Sequence, residues 1–360
     1  MKITKKYLFY ILCMLPFLEM PRFGTIPQIN RVFLICKLIS TAVVFTLTVI
    51  NRRKLNNLDI GLIIYSLIII FSTILNGGSV IDTISDALAI IVPVINVELY
   101  IGKIQTKKLI LPMIILFTMY GTITAIQLPR VPFRIFATQG LRDSNLELYN
   151  DTYGSIFALG HPKRFVFMLL PLFIYTLIFC DDRREKKHRI SKKIFLCYVF
   201  LITSFCLIYS WSVSAMLVIL IVLLFYRFNK NKLLSKTHKI FNLNFLFACF
   251  VIINILLTAT PFLELFTGFF ALFGKSPTLS GRTYIWARAF RYIENKPIFG
   301  HGVNLELVAS RFSNLVHLHN LFLNITYTGG ILLLVCLIII LILLVKRLNI
   351  NINKNNKRKE

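Results

Sequence analysis

Long apolar runs separated by short basic clusters set the first expectation for this chain of 360 residues. Ten such runs stand at about 7–20, 32–50, 59–75, 83–101, 109–128, 165–180, 194–209, 212–227, 241–260 and 320–345. A straight helix needs roughly 20 apolar residues to cross the hydrocarbon core, so several runs are short and their boundaries loose. One unbroken helix over 194–227 would reach about 50 Å at 1.5 Å per residue, too long for a single crossing. A break at 211–214 therefore predicts two helices there. Helical periodicity also predicts a shorter helix opened by Ser280 as N-cap and stopped near 295–297, outside the apolar runs.

Composition strengthens the membrane reading. The chain is 56% hydrophobic and only 16% charged, with a mean hydropathy of +0.73. An ordinary soluble domain holds roughly 45–50% apolar and about 25% charged residues, and could not hide this much apolar surface from water. Together, run length and composition predict an all-α integral membrane protein of about ten transmembrane helices. The seven cysteines fall inside or at the edges of apolar runs without close pairing, which fits small buried hydrophobes rather than a disulfide framework or a zinc site.

Charge sets the orientation. The net charge is +26, from 41 Lys+Arg against 15 Asp+Glu. In a soluble protein that balance would point to nucleic acid; beside apolar runs it reads as topology and contact with anionic membrane lipids, and no nucleic-acid partner is expected. With the N-terminus in the cytosol, the inside segments all come out basic: Lys2, Lys5 and Lys6; Arg52, Arg53 and Lys54; Lys103, Lys107 and Lys108; then 181–193, 227–239 and 346–360. An odd number of spans breaks this alternation, so both termini are expected to be cytosolic. Residues 1–346 then form a polytopic membrane domain and 347–360 a basic cytosolic tail, read as unstructured. Lys2 to Lys6 ahead of an apolar stretch looks like a signal peptide, but no small-residue cleavage site follows, and an uncleaved first span is expected.

Two outside loops, about 129–164 and 261–319, are long. Loops beyond roughly 12–15 residues are uncommon unless functional or disordered, and these are rich in aromatics such as Phe133, Tyr149, Trp286 and Phe290. The second carries Arg282, Arg288 and Arg291 on one helix, with Arg288 and Arg291 three apart on one face. Cations on the translocated side oppose the usual bias, and an external phosphate or diphosphate supplies a reason: guanidinium forks fit phosphate oxygens, and helix N-termini attract anions. The competing reading pairs these arginines with lipid head groups or with Glu294, Glu264 and Glu306. Farther along stand Gly300-His301-Gly302 and His317-Leu318-His319-Asn320, running into the last apolar segment with Gly329-Gly330. No carboxylate or cysteine lies beside the two histidines, so no metal is expected; an imidazole outside the membrane can act as a base. Near the outer end of the fourth run, Asp82 and Asp86 either face a polar cavity or mark a helix end in the head-group zone.

Taken in order, these features resemble the O-antigen ligase/polymerase family: Ser280-Gly281-Arg282, Trp286 four residues after that arginine, further arginines, Pro-x-x-Gly-x-Gly over 297–302, His319-Asn320 entering an apolar span, then Gly329-Gly330. The motif region covers about 280–330. The resemblance implies a membrane-embedded, metal- and cofactor-independent, inverting glycosyltransferase in the bacterial cytoplasmic membrane. Its donor would be a glycan on polyprenyl pyrophosphate, its product a capsular, exopolysaccharide or O-antigen chain, and its companions a chain-length regulator and a flippase. By position, the resemblance makes Arg282, Arg288 and His319 catalytic. It makes Arg291, Trp286, Asn320, Gly300, Gly302 and His317 substrate-binding. A ligase moving a finished glycan to another acceptor and a flippase for the same lipid-linked sugar are the alternatives. One departure stands out: the Ser-Arg pair that many members carry near the middle of the chain is here Ser212-Val213-Ser214, with no arginine.

Overall fold

Every apolar run in the sequence becomes a helix in the computed structural model, and none becomes a strand among the described residues. The structure describes residues 4–21, 23, 26–130, 157–159, 165–180, 189–210, 213–229, 243–256, 282–304, 318 and 320–357. The helices are α1 (Lys5–Met14), α2 (Pro27–Ile50), α3 (Asn57–Leu75), α4 (Val80–Tyr100), α5 (Thr106–Gln127), α6 (Val166–Cys180), α7 (Arg189–Tyr209), α8 (Val213–Asn229), α9 (Leu243–Leu256), α10 (Arg282–Asn295) and α11 (Leu321–Lys357). Six are long and apolar enough to cross a membrane: α2, α3, α4, α5, residues 190–209 of α7 and residues 321–350 of α11. This is a multi-pass helical membrane protein.

Local chemistry explains several boundaries. The first run stops short because Pro16 ends α1 in a 3-10 turn at Leu15–Phe17; proline lacks the amide a continuing helix needs and crowds the preceding turn. α7 ends at Tyr209 and α8 starts at Val213, giving the separate helices that length predicts. The tail differs from expectation. α11 continues to Lys357, since neither proline nor glycine follows Gly330 to stop it.

The chain divides into two units. The first holds Met1–Asn51 and Ile95–Lys232. Its core is Phe117 and Tyr120 of α5, Leu169, Leu172 and Phe173 of α6, Val199 and Cys206 of α7, and Ala215 and Ile219 of α8. A fragment of the first long loop turns into that core: Phe157 is buried, and the Leu159 amide donates to Thr124 Oγ1 at 3.1 Å.

The second unit holds Arg52–Val94 and Leu233–Glu360. Here α3 opens on a capping box, Asn56 with Asp59, and the buried Asp59 carboxylate also meets Arg53 at 2.7 Å. It closes on a Schellman turn, in which Gly77 (φ 65°) lets the Gly78 amide reach Thr73 O at 3.0 Å and the Gly77 amide reach Ile74 O at 3.2 Å. α3 lies along α11, where Gly61 clears room for Ile340. Asp82, at the start of α4, is exposed and accepts from Ser79 Oγ at 2.6 Å, so it marks a helix beginning.

Candidate functional site

The amphipathic helix α10 positions the arginines. Its apolar positions Ile285, Trp286, Ala289, Tyr292 and Ile293 recur at helical spacing and pack against Leu318, Leu323 and Tyr327. On the opposite side Arg288 and Arg291 are exposed, and neither pairs with a carboxylate among the described residues. Glu294 is exposed and not in an ion pair with them; Glu264 and Glu306 lie outside the described residues. Arg282 begins α10, but its side chain lies outside what the structure describes.

One buried hydrogen bond links this helix to the histidine segment. Trp286 Nε1 donates to Leu318 O at 2.7 Å, with Trp286 4% and Leu318 1% exposed. Asn320, two residues on, is also buried, and its side-chain oxygen accepts from the Leu323 amide at 3.0 Å, capping α11. Trp286 sits one turn after Arg282 and half a turn before Arg288. Both described neighbours of His319 are thus held against, or just beyond, the arginine helix. His317 and His319 themselves lie outside the described residues.

A second construction fixes how α10 meets α11. Gly330 breaks α11 with φ 67° and ψ −165°. A helix break frees backbone groups, which a membrane protein tolerates only where other protein groups satisfy them. Residues 297–302 do so here. The Ile331 amide donates to Pro297 O at 2.8 Å, while Tyr327 O and Thr328 O accept from the His301 and Gly302 amides at 2.7 and 2.8 Å. Ser72 at the end of α3 donates its hydroxyl to Thr328 O at 2.7 Å and shares it with Phe299 O. Thr73 Oγ1 accepts from the Val303 amide at 3.0 Å. Asn76 Nδ2 reaches Gly300 O at 3.2 Å, and Asn76 Oδ1 takes Lys296 Nζ.

Glycine is required at these crossings. A Cβ at Gly300 would lie 2.6 Å from Gly330 N, one at Gly302 2.7 Å from Thr73 Cα, and one at Gly330 2.0 Å from Ile298 O. All three also carry positive φ. The Gly-x-Gly is therefore a backbone interlock, with its glycines buried. His301 locks it further: its ring stacks on Tyr327 at 4.8 Å, and Nε2 meets Tyr292 O at 2.8 Å, which requires a proton on Nε2 because a carbonyl only accepts.

The order of arginine helix, interlock and capped last helix now bears on relationship. Residues 198–338 match the family described as O-antigen ligase. Over that stretch the chain is similar to members of this family. No curated protein and no solved structure matches it. The family's matched stretch takes in α10, the interlock and the start of α11, the same residues that carried the resemblance in sequence.

Sequence reasoning did not find Ser72, Thr73, Asn76, Lys296 or the role of His301. Polar residues closing the apolar α3 were a faint signal, but nothing in the sequence names their partners two hundred residues away. The side chains of Arg130, Arg134 and Arg164, candidates to replace the missing mid-chain arginine, lie outside the described part.

Proposed function

We propose that this chain polymerises polyprenyl-pyrophosphate-linked oligosaccharide repeat units into a capsular, exopolysaccharide or O-antigen chain. The reaction is metal-independent and takes place at the outer face of a bacterial cytoplasmic membrane. In this reading the ten helical runs cross the membrane with both termini in the cytosol, and the loops at 129–164 and 261–319 lie outside. The observation that carries the proposal is the Trp286–Leu318 hydrogen bond, which brings the chain around His319 to the helix that begins with Arg282.

His319 takes the proton from the acceptor hydroxyl as its oxygen attacks the anomeric carbon. The bond from that carbon to the diphosphate oxygen breaks on the opposite face, and polyprenyl pyrophosphate leaves with the bonding pair. Arg282 and Arg288, with Arg291 beside them, hold the diphosphate and stabilise the charge it gains. Arg288 and Arg291 suit this task by being exposed and without an ionic partner among the described residues. Trp286, Asn320, Gly300 and Gly302 act by positioning, since the indole donor, the amide oxygen and the space around the glycines are already used within the protein. His317 remains a candidate sugar contact. A flippase and a chain-length regulator are the partners such a polymerase requires.

The family's description favours a second reading, a ligase that moves a finished glycan to another acceptor. Purified protein given a defined polyprenyl-pyrophosphate oligosaccharide separates the cases. A ladder of longer glycans is expected. Transfer only to a foreign acceptor would identify a ligase, and relocation across a vesicle membrane without a new bond a flippase. In the same assay His319→Ala is expected to slow turnover by about 10²–10⁴ and Arg282→Ala by about 10²–10³. Turnover within a few-fold of wild type in both variants sinks the assignment.

A further inference from the structure

Residues 297–300 cross the second unit at a depth that two helices measure independently. In α3, Ser72 stands about 22 Å along the helix from Asn57, beside Arg52, Arg53 and Lys54; in α11, Ile331 stands about 22 Å from Lys346, at 1.5 Å per residue. Ser72 and Ile331 are the residues that hold the crossing segment, through Phe299 O and Pro297 O. Basic clusters mark one edge of the hydrocarbon core, which is about 30 Å thick. The segment therefore lies roughly 8 Å inside the opposite edge, and any tilt of the helices sets it deeper.

The backbone is built for that depth. Hydrocarbon offers no hydrogen bonds, so irregular backbone is tolerated there only where the protein supplies them. Each carbonyl from Lys296 to Gly300 is engaged. Lys296 O accepts from the Gly300 amide at 3.1 Å, Pro297 O from the Ile331 amide at 2.8 Å and Ile298 O from the Leu332 amide at 3.5 Å. Phe299 O accepts from the Ser72 hydroxyl, and Gly300 O from Asn76 Nδ2 at 3.2 Å. Pro297 has no amide to satisfy. A turn in water can leave its carbonyls to the solvent.

The side chains do the reverse: Ile298 is 53% and Phe299 40% exposed. The Phe299 ring meets Phe71 edge-on at 5.4 Å. Phe71, Ile74 and Leu75, three and four apart on one face of α3, are exposed as well. Because α3 is long and apolar enough to cross a membrane, that face meets lipid, and Ile298 and Phe299 continue it.

We propose that residues 297–300 form a re-entrant turn inside the hydrocarbon of the leaflet farthest from those basic clusters, with Ile298 and Phe299 packed against lipid acyl chains. Trp286 meets Leu318 and Tyr292 meets Tyr327, so α10 and the start of α11 leave the turn in the same direction. Arg291 and Arg288 stand roughly 7 and 12 Å farther along α10 than Lys296. The turn thus anchors the arginine helix at the depth of the head groups. The inference needs only that the second unit spans a bilayer and is independent of the glycosyl-transfer reading.

The test places an indole at the turn and asks what quenches it. The full chain carrying Ile298→Trp is reconstituted into phosphatidylcholine vesicles, with or without lipid brominated in the upper part of its acyl chains. The parent chain gives the background from Trp211 and Trp286, which is subtracted. Ala287→Trp, on the exposed polar side of α10, is the comparison. Bromolipid is expected to quench the indole at 298 several-fold more strongly than the one at 287, and dissolved acrylamide to favour 287. Phe299→Trp repeats the measurement should Ile298→Trp fold poorly. Bromolipid quenching at 298 and 299 no stronger than at 287 overturns the proposal, because the turn would then lie in water or under protein.

Discussion

Trp286 shows how much a single side chain decides here. Its ring belongs to the apolar stripe of α10, and its one donor is engaged with the backbone of Leu318. Trp286→Phe keeps most of the packing but leaves that buried carbonyl without its partner, a penalty of about 1–3 kcal/mol. The expected result is a protein that still folds, melts a few degrees lower in detergent, and loses at least about tenfold in glycan turnover as the segment around His319 drifts from α10. Wild-type turnover in this variant would mean that the bond does not organise the reaction. The residue itself was legible in sequence as part of the motif. Its partner was not, because the acceptor is a main-chain oxygen, and every residue carries one.

Between elements, the decisive feature is the crossing of residues 297–302 over the broken α11. The family resemblance made Gly300 and Gly302 substrate-binding, and the structure shows close backbone approach at both and at Gly330. Two glycines with nearly the same φ separate the two effects. Gly77→Ala meets nothing within 4 Å and carries only the left-handed backbone penalty, about 1–2 kcal/mol. Gly330→Ala carries that penalty and also sets a methyl 2.0 Å from Ile298 O, so a loss of about 4 kcal/mol or more is expected. Denaturant unfolding of both variants in the same detergent measures the difference. Equal losses would show that the interlock yields easily and does not hold α10 to α11. The helices were largely readable beforehand, since each apolar run became one. The interlock was hidden, since hydrogen bonds between Ser72 or Thr73 and residues near 300 and 328 leave no periodic trace.

For the whole molecule, the alternation of basic clusters makes a firm topological forecast. A fluorescent protein fused after Glu360 is expected to glow, as it folds in the cytosol. Alkaline phosphatase inserted near residue 145 or 268 is expected to be active, as it works only outside. Active phosphatase at the C-terminus, or inactive phosphatase in both loops, would invert or break the proposed arrangement and remove the reasoning that puts the arginines on the outer face.

Composition and run length alone determined that this chain is helical and lives in lipid, because the penalty for exposing apolar surface to water, or bare backbone to hydrocarbon, depends on how residues are spaced and hardly on which neighbours they meet. Motif order alone was enough to suggest the family. Only the tertiary structure decided that Trp286 grips Leu318, that the Pro-x-x-Gly-x-Gly stretch mends a break at Gly330, and that Ser72 and Asn76 serve residues far along the chain. Those contacts depend on main-chain atoms meeting across long sequence separations, and a backbone amide or carbonyl looks the same at every position until the fold brings two of them within 3 Å.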